Sequence, residues 1–79
     1  MKMYEPKLSI GQGVWVMQNN KPVQLSVVEV EVTGRVGIQR EIDWYVKYTL
    51  TGGHTLHECT PSAPGDFIFT TKEDLIKSL

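Results

Sequence analysis

Between Gln24 and Val32 the chain reads QLSVVEVEV, and its apolar positions change phase: Val23, Leu25 and Val27 fall on odd numbers, Val28, Val30 and Val32 on even ones. Successive side chains of a β-strand point to opposite faces, so the two triplets cannot share one core in a regular strand. A β-bulge near Ser26–Val28 resolves the conflict, because one extra residue flips every side chain beyond it and bends the strand. The expectation is a sharply curled strand with both valine triplets lining one interior and with Glu29 and Glu31 in solvent. Burial on both faces would need a second layer, which 79 residues hardly supply.

The neighbouring segments read as partners for this strand. VWVM (14–17) is β-branched and aromatic, and Asn19 and Asn20 tolerate the positive φ of a tight turn into it, with Pro22 placed where a strand begins. TGRVGIQREI (33–42) carries two glycines and mixed charge and reads as a long hairpin connection. DWYVKYTL (43–50) alternates cleanly, with Trp44, Val46, Tyr48 and Leu50 toward the core and Tyr45, Lys47 and Thr49 outward. Gly52-Gly53 predicts a two-residue hairpin loop, followed by a strand from Thr55 to Thr60. PSAPGD interrupts regular structure before FIF (67–69), a brief final strand. Thr70 or Thr71 opens a capping box with Glu73 or Asp74, and Lys72, Leu75, Ile76 and Leu79 line one face of a short helix. Leu8 and Ile10 are the expected anchors of an N-terminal arm, and Gly11-Gln12-Gly13 is a flexible break.

The pattern defines a single domain over residues 1–79: an arm at 1–12, a five-stranded antiparallel barrel at 13–69 and a C-terminal helix at 70–79. Cys59 is the sole cysteine, so no internal disulfide forms, and a reducing, cytoplasmic setting is expected. Glu5 and Pro6 stand where a secretory signal would carry its apolar run, and no apolar run approaches the ~20 residues of a membrane span. The formal net charge is −1, without the basic surplus of most phosphate-binding proteins. It is mildly uneven: residues 1–28 lean basic through Lys2, Lys7 and Lys21, and residues 29–58 lean acidic.

Two groups of side chains carry candidate chemistry. His54, His57 and Cys59 are of zinc-ligand type, and His57 and Cys59 share a strand face. A closed site needs four ligands, however, and a cysteine nucleophile needs a histidine in contact with it and an oxyanion hole. A small metal-dependent or cysteine enzyme is therefore the remote reading, and no cofactor is expected. The aromatic group is Trp15 and Tyr45, of which an outward ring forms a stacking surface, with Arg35 and Arg40 on the long loop able to contact phosphate or carboxylate.

Short bent strands, a bulged second strand, a long loop after it and a terminal helical turn resemble the SH3-like small barrels, in particular the KOW and Tudor-type modules. The ending FIFTTKEDLIKSL is similar to the closing segment of small bacterial and phage-borne proteins of that shape. The resemblance implies a binding module for peptide tails, nucleic acid or a neighbouring protein. The chain departs from the peptide-binding type in lacking an acidic loop beside a tyrosine-rich groove, and residues 34–40 do not copy the KOW motif. The expectation is a non-enzymatic module that presents Trp15, Arg35, Arg40 and Tyr45 to a protein or nucleic acid, as a monomer or weak homo-oligomer. The competing expectation is an assembly protein that self-associates through a sheet edge.

Overall fold

The computed structural model describes residues 4–79. Four antiparallel strands in the order β1-β2-β3-β4 form a curled half-barrel: β1 Gly13–Gln18, β2 Lys21–Val36, β3 Ile42–Leu50 and β4 Thr55–Glu58. Asn19 (φ 50°) and Asn20 (φ 63°) turn β1 into β2, with Gln18 opposite Lys21, as the paired asparagines predict. Helix α1, Lys72–Lys77, closes the chain, capped by the Thr71 hydroxyl, which accepts from the Asp74 N–H at 3.2 Å.

The phase change in β2 is a bulge. Val27 pairs with Leu50 and Glu29 with Thr49, so Val28 is the extra residue. Val27 is buried, and Val30 and Val32 pack against the same core from beyond the bulge. Val28 does not join them: it is 54% exposed, because the inserted residue turns to the outer face and only its successors return inward. Sixteen residues of straight strand would span roughly 50 Å, more than the 43 Å long axis of the molecule, so the bend is obligatory. It lets β2 serve two partners: β1 pairs with it up to Ser26 and β3 from Val27 onward.

Val14, Val16, Val27, Val46, Tyr48, Leu50 and Leu56 form the core, with Leu8 of the arm set into it. Val14 and Val16 facing inward turn Trp15 outward, where it is half-buried. Ile10, expected as a second anchor, is 70% exposed: Gly11 and Gln12 hydrogen-bond Val27 instead, and that backbone pairing holds the segment without the isoleucine. On the helix only Leu75 is buried, while Ile76 and Leu79 face solvent, since two turns present one contact point to the sheet.

Three expected boundaries shift. Thr33–Val36 and Ile42 continue the β2–β3 ladder, leaving a five-residue connection, 37–41, in place of the longer loop. Gly34 permits this extension because the Trp44 ring lies over it, filling the space a side chain would occupy. Thr51–Gly53 form a 3-10 turn with Gly52 and Gly53 at positive φ, closed by the Leu50 N–H on the His54 carbonyl (2.7 Å), so the hairpin loop is three residues long, not two. Finally, β4 ends at Glu58. The Phe67–Phe69 segment contributes a single bridge, Phe69 to Trp15, rather than a fifth strand.

Candidate functional site

The β2–β3 hairpin outruns its neighbours. β1 lies alongside β2 only to Ser26, and β4 alongside β3 only to Val46, so from Thr33 to Tyr45 the sheet narrows to a two-stranded ribbon. Strand alternation gives the ribbon two dissimilar faces. The face continuous with the core carries Val32, Gly34 and Val36 opposite Val46, Trp44 and Ile42. At its end Val36 is 77% exposed, and Ile38 in the turn is fully exposed.

The other face carries Glu31, Thr33 and Arg35 opposite Lys47, Tyr45 and Asp43. The Arg35 guanidinium sits over the Tyr45 ring, 5.9 Å from its centroid, within cation–π range. With Thr33 they line a shallow cleft of about 260 Å³. Of the four residues singled out for binding, the structure therefore joins Arg35 and Tyr45. Arg40 sits in the turn at φ 64°, its N–H donating to the Gly37 carbonyl at 3.1 Å. Trp15 belongs to β1, where it lines a separate cleft with Phe67, Phe69 and Leu75.

His54, His57 and Cys59 are all exposed and do not form a ligand set. His57 Nδ1 stands 3.7 Å from the Asp66 carboxylate, and the Cys59 thiol is directed to the Thr60 carbonyl at 3.9 Å. Among the described residues no group of three or more His, Cys, Asp or Glu side chains is placed to hold a metal ion.

A buried polar cluster lies at the C-terminal end of β4, where Glu58 pairs with Val46. Glu58 is 4% exposed, and its Oε1 accepts from the Tyr48 hydroxyl and from the Lys7 N–H (2.8 Å), while the Leu8 N–H donates to the Tyr48 oxygen (3.2 Å). Burial, then the hydrogen bond to Glu58, pushes the Tyr48 phenol up to about 12. Tyr4 approaches the same carboxylate without full hydrogen-bond geometry, and its phenol is raised too, first by that hydrogen-bonding approach and then by burial. Glu58 Oε2 is buried without a hydrogen-bond partner among the described residues. The cluster fastens the arm across the end of the sheet. Beside it lies a cleft of about 330 Å³ lined by Lys7, Leu8, Cys59, Phe67 and Ile68.

Glu58 is not among the residues the sequence singles out, yet it carries a signal: Leu56, Glu58 and Thr60 share one parity, and all three are buried. No helix of the described residues is long and apolar enough to cross a membrane. Comparison with protein-family models, with curated proteins and with solved structures found no match.

Proposed function

We propose that the chain is a non-enzymatic binding module, an SH3-like barrel in outline, whose β2–β3 ribbon docks on another protein in a reducing, cytoplasmic setting. One observation carries this reading: Val36 and Ile38 are solvent-exposed at the end of an apolar face that continues the core through Trp44 and Ile42. Apolar side chains at the tip of a projecting ribbon gain free energy when a partner removes them from water, at about 25 cal/mol per Å². The Arg35–Tyr45 pair on the opposite face supplies a polar rim that a protein surface can meet with a carboxylate.

Nucleic acid is the less favoured ligand. The ribbon and its flanks interleave Arg35, Arg40 and Lys47 with Glu29, Glu31, Glu41 and Asp43, so no continuous basic stripe faces a phosphate backbone. The test pairs two measurements. Mixed-sequence single- and double-stranded nucleic acid at low salt is expected to give no complex, and a complex that weakens steeply as salt rises contradicts the reading. Ile38→Glu is expected to abolish retention of the partner protein that wild-type chain captures, with an unchanged melting curve. Equal capture by both contradicts the docking face.

A further inference from the structure

Among the described residues, each other edge of the sheet makes at least one hydrogen bond to a neighbouring segment. On β1 the Trp15 N–H donates to the Phe69 carbonyl at 2.8 Å. On β4 the His57 carbonyl accepts from the Asp66 N–H at 2.7 Å, and the His57 N–H donates to the Asp66 carboxylate at 2.8 Å. On β3, beyond the reach of β4, the Trp44 carbonyl accepts from the Thr60 and Ser62 hydroxyls at 2.7 and 3.2 Å. On β2 the arm meets Val27 through Gly11 and Gln12. From Glu29 to Val36, however, β2 has β3 on one side and, among the described residues, no backbone partner on the other.

Open edges are blunted by proline, by brevity, by a bulge or by charged side chains, lysine above all. The 29–36 stretch runs for eight positions without proline or lysine; its bulge lies at its start, and its charges, Glu29, Glu31 and Arg35, are of both signs, so they deter only the pairings that set like charges together. Its charges also have a direction: Glu29 and Glu31 lie toward one end of the outer face and Arg35 toward the other. Among the described residues none of the three forms an ion pair within the chain. Parallel pairing of two such edges in register would set glutamate against glutamate. Antiparallel pairing about a two-fold axis does the opposite. Centred on Val32 it places Glu29 of each copy opposite Arg35 of the other, and centred on Thr33 it places Glu31 there. In both registers Val30 meets an uncharged neighbour, Gly34 or Val36, on the apolar face.

We infer that two copies of this chain pair antiparallel along the 29–36 edge of β2, joining their ribbons into a continuous four-stranded sheet with reciprocal Glu–Arg contacts. Two-stranded ribbons are marginal in water, whereas three or more strands with an apolar face hold together, so the pairing supplies what each ribbon lacks alone. The contact is isologous and closes at two copies, because each edge is consumed by the other. It goes beyond the partner reading above, since it uses the backbone edge and its charged rim rather than the apolar turn.

Sedimentation velocity of the full chain across a concentration series tests this. The wild type is expected to pass from monomer to dimer. Arg35→Glu is expected to weaken the dimer about tenfold or more, and the double variant Glu29→Arg/Glu31→Arg to do the same, each by setting like charges face to face. An equimolar mixture of the two variants is expected to dimerise again, because every reversed charge then meets its complement. Circular dichroism confirms that each variant is folded, and the mixture supplies a positive signal that misfolding could not produce. Ile38→Glu, which removes the partner contact, is expected to leave the dimer intact. A wild type that stays monomeric at its highest soluble concentration overturns the inference. So does a dimer indifferent to both charge reversals, or a mixture that fails to re-form one.

Discussion

Tyr48 and Glu58 show how one buried carboxylate organises several groups. Replacing Tyr48 by Phe removes a donor from Glu58 Oε1 and an acceptor from the Leu8 N–H, so two buried polar atoms lose a partner at once. The expected cost is about 1–3 kcal/mol in urea unfolding, with the N-terminal arm loosened first. The phenol also gives a pH dependence with a definite sign. Its folded pKa, about 12, lies above the ordinary 10, so the folded state holds this proton more tightly than the unfolded chain does. Below pH 10 the tyrosine contributes no slope; from about 10 to about 12 stability falls as the unfolded state releases the proton first. Tyr4 is raised as well and adds a decline of the same sign that begins near pH 10. Chemical unfolding at stepped alkaline pH is expected to show this decline, and Tyr48→Phe to remove its larger part. At Gly65 an added Cβ would run into the Glu58–Cys59 backbone, so Gly65→Ala is expected to destabilise by about 1–3 kcal/mol in the same assay.

At the scale of elements, the bulge in β2 makes a sharp contrast between adjacent, chemically identical residues. Val27 is buried against Leu50 and Val28 is turned outward. Val27→Ala is therefore expected to cost about 2 kcal/mol through lost burial and a residual cavity, and Val28→Ala to stay within about 0.5 kcal/mol. Equal costs in thermal or urea unfolding would place the bulge elsewhere. This feature was legible in the sequence, because a phase change in an alternating strand has few other solutions, and so were the Asn19-Asn20 turn and the threonine cap. The extension of β2 through Gly34 was not. A glycine amid mixed charge reads as a loop, and only the Trp44 ring covering it makes the position a strand. The fate of Phe67–Phe69 was hidden for a similar reason: three apolar residues match a strand, while one bridge to Trp15 is all that the edge of β1 receives. Glu58 was readable from parity alone, but the Lys7 N–H that donates to it lies 51 positions away, the Leu8 N–H that donates to Tyr48 lies 40 away, and no local pattern announces either.

For the molecule as a whole, the division of β2 between two partners produces a closed body and an open projection. The body holds the core, the arm and the helix. The projection has no third strand alongside and exposes apolar side chains at its end, which is the arrangement expected of a surface completed by another chain. Regions held by few buried contacts open at low free-energy cost, whereas core strands exchange only on global unfolding. Residue-resolved amide hydrogen exchange, at a dilution where the chain is monomeric, tests that division most directly. Amides from Gly34 to Asp43 are expected to exchange orders of magnitude faster than those of Val46, Tyr48 and Leu50, and to slow when a partner or second copy is added. Protection of the ribbon as deep as that of the core strands, in the monomer alone, would contradict the account.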